Sequence, residues 1–301
     1  MTALVKLLTG EEEVTLGALL HTLDNPNAYG TSANDNFGLS VAISESYAIA
    51  GAYGEDDAGG TSSGKAYIFS TSTGALLYTL DNPNAYSTSP GDYFGYSVAI
   101  SESYAIVGAR LEDDAGGTSS GKAYIFSTST GALLHTLDNP NAYSTSANDN
   151  FGYSVAISES YAIVGAYLED DAGGLNSGKA YIFNPSTGAL LHTLDNPNAY
   201  DTSAGDYFGY SVAISESYAS VGAYFEDDAG GESSGKAYIF STSTGVFLHT
   251  LDNPNAHGFS TGDRFGFSVA ISESYAIAGA YQEVDALYEL PSGKAYIFSL
   301  S

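Results

Sequence analysis

The run Glu-Asp-Asp occurs four times, at Glu55-Asp56-Asp57, Glu112-Asp113-Asp114, Glu169-Asp170-Asp171 and Glu226-Asp227-Asp228, and each copy is followed by Ala-Gly-Gly. Three carboxylates beside open glycine carbonyls supply hard oxygen donors, of which Ca²⁺ takes six to eight in flexible geometry. One reading is therefore a weak Ca²⁺ site in each loop, with an affinity of order 10⁻⁴ to 10⁻³ M. The other is a solvated acidic surface whose charges are screened over about 8 Å in physiological salt. A fifth copy reads Glu283-Val284-Asp285-Ala286-Leu287-Tyr288, which is short of one carboxylate and both glycines, so a site there is expected to be weaker or absent.

A lysine follows each acidic loop, at Lys65, Lys122, Lys179, Lys236 and Lys294, always in the sequence Gly-Lys-Ala-Tyr-Ile-Phe. It reads either as a ligand for an anionic glycan or as a counter-ion for the neighbouring carboxylates, a surface pairing that contributes only about 0–1 kcal/mol. Tyr29, Tyr86, Tyr143 and Tyr200, with His257 in the fifth copy, close the sequence Leu-Asp-Asn-Pro-Asn-Ala-Tyr. Rings beside carboxylates and amides suit a carbohydrate, and several shallow sites would gain by avidity. The alternative is that each ring packs over its own loop. His21, His135, His192 and His249 share one repeat position that Tyr78 takes in the remaining copy, which favours packing over metal ligation. Serines abound, yet no His and Asp fall at a spacing that builds a nucleophile. Paired carboxylates are the raw material of glycoside hydrolysis; five near-identical loops, however, do not assemble the one asymmetric pocket that an enzyme uses. No catalytic residue is assigned.

These residues recur because the chain is a repeat. Phe-Gly appears at Phe37, Phe94, Phe151, Phe208 and Phe265, a step of 57 residues each time. Within the second copy, Phe94 to Ser101 alternates large and small residues, and Tyr104–Ala109, Lys122–Ser127 and Ala132–Leu137 are three further short runs separated by Gly, Ser, Asp, Asn and Pro. Each unit is thus four strands, and radial repetition of four antiparallel strands is a β-propeller. The predicted fold is all-β, a single five-bladed propeller, with residues 1–16 as a leader and docking segment and residues 17–301 as the propeller. Gly17–Leu23 reads as a fourth strand, and pairing it with the strand at Lys294–Ser299 is expected to complete the fifth blade and close the ring. In such a blade the Glu-Asp-Asp and Leu-Asp-Asn-Pro loops leave on the same side of the disc, so most of the 35 acidic residues collect on one face.

Composition narrows the partners. The formal charge is −27 with only 8 Lys and Arg, which excludes a phosphate backbone as ligand. Hydrophobic residues make up 44%, too much for a disordered acidic chain. No apolar run approaches the roughly 20 residues of a membrane helix, and the first residues lack a secretory signal. With no cysteine, neither a disulfide nor a thiolate site is available.

The unit Phe-Gly-Tyr-Ser-Val-Ala-Ile-Ser, followed by Ile-Val-Gly-Ala and Gly-Lys-Ala-Tyr-Ile-Phe, resembles the FG-GAP repeat, the blade of integrin alpha heads and of many bacterial and viral surface proteins. Integrin-type blades carry a DxDxDG calcium loop between their first two strands; here that connection is only Ser101-Glu102-Ser103, and the loop is missing in every copy. The wording also resembles repeats in virion proteins of marine tailed phages. That resemblance implies a non-enzymatic binding or structural module on a virion or extracellular surface. Its expected partners are a surface glycan or protein receptor and a scaffold protein held through residues 1–16, with no nucleic acid and no membrane insertion. A purely architectural decoration protein is the alternative, and a glycoside-acting enzyme the outsider.

Overall fold

The computed structural model describes residues 16–27, 33–56, 60–83, 91–114, 117–140, 147–197, 204–228, 231–254, 261–284 and 291–300. Each repeat folds into one antiparallel sheet whose strands lie side by side in sequence order. Blade one holds β1 (Val41–Ile43), β2 (Tyr47–Ala52), β3 (Lys65–Ser70) and β4 (Leu76–Asp81). Blade two holds β5 (Phe94–Ile100), β6 (Tyr104–Ala109), β7 (Lys122–Ser127) and β8 (Leu133–Asp138). Blade three holds β9 (Ser154–Ile157), β10 (Ala162–Ala166), β11 (Lys179–Phe183) and β12 (Leu190–Asp195). Blade four holds β13 (Ser211–Ile214), β14 (Tyr218–Ala223), β15 (Lys236–Ser241) and β16 (Phe247–Asp252). Blade five holds three strands, β17 (Phe265–Ile271), β18 (Tyr275–Ala280) and β19 (Lys294–Ser299). This all-β arrangement, without a helix among the described residues, fits a five-bladed propeller.

The middle strands read as continuous apolar runs because both of their faces are covered. Along β7, Tyr124 and Phe126 pack towards blade one, while Ala123 and Ile125 pack towards blade three. Strand four lies at the outer edge and is buried at one position only, Leu137 in β8. First strands of successive blades touch one another, which places strand one at the inner edge, nearest the axis.

The seam between blades explains the Phe-Gly and Gly-Ala signatures. At the start of β5, Phe94 pairs with Ala109 and Ser97 with Gly108, leaving Gly95 and Tyr96 in a bulge. Gly95 has φ +88°, and a Cβ added there would lie 2.2 Å from the Lys65 carbonyl oxygen of the previous blade. A Cβ on Gly51 would lie 2.0 Å from the Gly95 oxygen. The two glycines therefore meet backbone to backbone, and no other residue fits either place. On the opposite rim, Glu102, Glu159 and Glu273 reach the preceding blade, accepting backbone N–H bonds from Ser46, Ser103 and Ser217 at 3.1, 3.1 and 3.4 Å. Glu216 does the same with Glu159 at 3.0 Å. Hydrogen bonds from Ser44 and Ser46 hold the Glu102 carboxyl below its ordinary value, and those from Ser217 and Ser215 do so for Glu273.

The expected strand exchange is not formed. Residues 17–27 carry no strand, and the fifth sheet has three. Leu23 packs instead with Ala50, Ala52, Tyr67 and Phe69 of blade one, and His21 lies against Gly74. Leu80 and Tyr78 take the same places against blade two. Gly17–Leu23 thus keeps the seat of a fourth strand in front of blade one, away from the edge of β19. The sequence marks how many seams there are, but closure depends on whether the rotations at those seams add up to a full turn.

Candidate functional site

The three carboxylates of each Glu-Asp-Asp loop turn to three different partners. Glu55, Glu112, Glu169 and Glu226 are fully buried. The hydroxyls of Tyr67, Tyr124, Tyr181 and Tyr238 donate to them at 2.7, 2.6, 2.6 and 2.6 Å. Burial pushes the carboxyls of Glu112, Glu169 and Glu226 up to about 8, the tyrosine hydroxyls acting in the opposite direction. In Glu112 and Glu169, Oε2 has no hydrogen-bond partner, an arrangement far costlier for a carboxylate than for a neutral carboxyl. The second residue ties the loop to itself: Oδ1 of Asp56, Asp113, Asp170 and Asp227 accepts the backbone N–H of Ser62, Ser119, Asn176 and Ser233 at 2.7–2.8 Å. The third faces lysine, with Asp114, Asp171 and Asp228 lying 3.5, 3.0 and 3.1 Å from Lys122, Lys179 and Lys236.

Burial, loop closure and ion pairing thus turn Glu112, Asp113 and Asp114, and the matching residues of blades three and four, to three different partners. Among the described residues no group of three or more His, Asp or Glu side chains is placed to hold a metal ion. Asp57 lies outside the described residues. The lysines act as counter-ions. Lys65, Lys122, Lys179 and Lys236 pair with Asp81, Asp138, Asp195 and Asp252 of strand four, and Lys294 pairs with Glu283 at 2.6 Å. The Leu-Asp-Asn segment meets the next blade on the same rim: Asn25, Asn82, Asn139, Asn196 and Asn253 donate to the buried Asp35, Asp92, Asp149, Asp206 and Asp263 at 2.8–3.0 Å. His135 and His192 lie over Gly188 and Gly245 of the following blade, as packing side chains. Tyr29, Tyr86, Tyr143, Tyr200, His257 and the leader through residue 15 lie outside the described residues.

A different group of rings occupies the inner end of this rim. Strand one begins and strand two ends there, and three repeat positions converge: Tyr96, Tyr153, Tyr210 and Phe267; Tyr53, Arg110, Tyr167, Tyr224 and Tyr281; and Tyr93, Asn150, Tyr207 and Arg264. Their centroids form a continuous belt, with Tyr53–Tyr96 at 5.4 Å, Tyr96–Tyr153 at 5.2 Å, Tyr153–Tyr210 at 4.8 Å, Tyr210–Phe267 at 5.1 Å and Phe267–Tyr281 at 4.4 Å. Both arginines of the chain are in it. The Arg110 guanidinium lies 4.3 Å over the Tyr96 ring and donates to Asn150 at 3.1 Å. Arg264 lies 4.6 Å over Phe225 and donates to the Tyr281 hydroxyl at 2.7 Å. Such stacking is worth about 0.5–2 kcal/mol. Most of these rings are half-buried.

Sequence reasoning placed the aromatic site in the Leu-Asp-Asn-Pro loops and passed over this belt. The signal was present: in a repeat whose strands scarcely vary, positions 36, 93, 150, 207 and 264 and positions 53, 110, 167, 224 and 281 do vary, and both arginines fall among them.

No curated protein matches the chain. The FG-GAP repeat matches it five times, at residues 27–69, 85–126, 142–183, 198–240 and 256–298. These matches span most of the sequence and coincide with the five sheets, and the chain belongs to the FG-GAP repeat family.

Proposed function

We propose that this chain is a non-enzymatic binding module of an extracellular or virion assembly, and that it attaches to a surface glycan through the centre of its acidic face. FG-GAP repeats form β-propeller modules that are often used for binding and are generally non-catalytic. The observation that carries the reading is the axial belt. Half-buried tyrosines offer flat faces to the C–H side of a sugar ring, their hydroxyls offer donors and acceptors, and two stacked guanidiniums add fixed donors at a rim otherwise lined with carboxylates. The surrounding acidic groups are engaged with tyrosine, asparagine, backbone amides or lysine, which leaves the belt, among the described residues, as the part of the face with chemistry to spare.

A printed glycan array, followed by titration calorimetry with the glycans retained, tests this. Tyr153→Ala and Tyr210→Ala are expected to weaken retention at least tenfold while the melting temperature moves by only a few degrees. Retention unchanged in both variants, or no glycan retained by the wild type, would overturn the reading and favour a protein receptor or an architectural role.

A further inference from the structure

We infer that the outer face of blade five docks on blade one of a second copy of this chain, head to tail, with residues 17–23 of that copy laid along β19. The inference is independent of what the belt binds.

Among the described residues one seam recurs four times, and the exposed faces of blade one and blade five have the shape and residues of its two halves. At each internal seam one blade presents a pair of isoleucines or their equivalents to the next. Ile49 and Ile68, Ile106 and Ile125, and Ile163 and Ile182 are all at most 1% exposed. Their counterparts on blade five, Ile277 and Ile297, are 37% and 72% exposed. They line an apolar hollow of about 510 Å³ together with Ala270, Ile271 and Tyr275. The receiving half is buried in blade two at Val98 and Ile100, but in blade one the matching Val41 and Ile43 are 66% and 72% exposed. Exposed apolar patches of this kind mark interaction surfaces.

Residues 17–23 settle which occupant fits. In blade one, β4 pairs with β3 in the register Lys65 to Asp81, Ala66 to Leu80 and Ile68 to Tyr78. One repeat earlier, Asp24, Leu23 and His21 stand where Asp81, Leu80 and Tyr78 do, and Leu23 is already seated on blade one as Leu80 is on blade two. Blade one therefore carries its own fourth-strand segment and the open receiving face as a single unit. When that unit meets the outer edge of β19, Ala295 faces Leu23, Ile297 faces His21, and Lys294 meets Asp24 as Lys65 meets Asp81. Strand addition at a sheet edge is a recurrent mode of recognition. Within one chain the two faces are formed but stand apart. A head-to-tail contact between unlike faces repeats from copy to copy and gives a ring if the rotation closes, or a filament if it does not.

The chain has no cysteine, so engineered thiols report the contact cleanly. Leu23→Cys and Ala295→Cys, made as separate full-length variants and mixed under mild oxidation, are expected to give a covalent dimer on a non-reducing gel. Sedimentation of the wild type is expected to show a mass rising above 31.2 kDa with concentration. Ile297→Asp, at a side chain already exposed, is expected to return it to a monomer with an unchanged circular dichroism spectrum. Asp24→Lys with Lys294→Asp in partner chains should restore a dimer that either change alone weakens. A monomer at every concentration, or a double Leu23→Cys/Ala295→Cys variant that cross-links within one chain while the mixture gives no dimer, would overturn the inference and show that the chain closes on itself.

Discussion

Replacing Glu169 by glutamine is expected to stabilise the protein at alkaline pH and leave it nearly unchanged at pH 5. The side chain is fully buried, accepts a hydrogen bond from Tyr181 at 2.6 Å and has a bare Oε2. Burial raises its carboxyl from 4.5 to about 8. A group with a raised folded value binds more protons in the native state than in the unfolded one, so stability falls as pH rises between those two values and levels off above the higher. At 1.36 kcal/mol for each tenfold change in proton affinity, the full difference corresponds to roughly 5 kcal/mol, and relaxation around Lys179 and Asp149 brings the expected gain to roughly 2–5 kcal/mol. Glutamine keeps the shape and the acceptor for Tyr181 and carries no charge at any pH. With about 2–4 °C per kcal/mol for a domain of this class, the variant should melt at least about 4 °C above wild type at pH 8.5 and within about 2 °C of it at pH 5. Scanning calorimetry across that range is the assay. A variant that loses stability at pH 8.5 would show that Glu169 is ionised in the fold and held by a cation, and the neutral-carboxyl reasoning would be wrong.

Three further outcomes are expected. Gly108→Ala places a Cβ 2.0 Å from the Gly152 oxygen across the seam, so urea denaturation should show a loss of at least about 3 kcal/mol or no soluble protein, whereas Gly91→Ala, with open space around it, should cost far less despite its φ of +79°. Ca²⁺ titrated into chelated protein should produce no heat from the Glu-Asp-Asp loops of blades two to four, whose carboxylates are already engaged; uptake of one ion per blade by calorimetry would refute that account. Glu273→Gln removes a carboxylate held low by Ser217 and Ser215. Because that contribution is present above the ordinary carboxyl value and is lost as pH falls through the lower folded value, hydrogen exchange at the Ser217 amide should speed up in the variant at pH 7, and the difference should shrink as the pH drops below the ordinary carboxyl range.

The blades themselves were written plainly in the sequence. Their glycines must allow two backbones to touch, their strand-three alternation must serve two neighbours, and both demands recur every 57 residues. The fate of the first acid in each Glu-Asp-Asp run was harder to read, since a run of charge in a glycine-rich loop looks solvated. A clue lies twelve residues on, where Tyr67 or Tyr124 sits mid-strand in a fully covered position and its hydroxyl needs an acceptor. Closure was not legible at all. A fourth-strand sequence at Gly17–Leu23 says what that segment pairs with in kind, but the angle between sheets comes from how Ile49, Val98 and the glycine seam settle against one another, which no one-dimensional pattern contains. The belt at Tyr96, Tyr153 and Arg110 was hidden for the opposite reason: its residues belong to different blades and converge only around the axis.

The glycine seam also bears on how such a chain changes length over generations. Since every seam is the same backbone-to-backbone contact, removing or duplicating one 57-residue unit leaves each surviving neighbour with the partner it already had, and stability is gained or lost roughly one blade and one seam at a time. Near-identical repeats are also those that recombination misaligns most readily. Copy number is therefore a trait that can drift without inventing any new contact, and the molecule's curvature, reach and number of belt positions would drift with it.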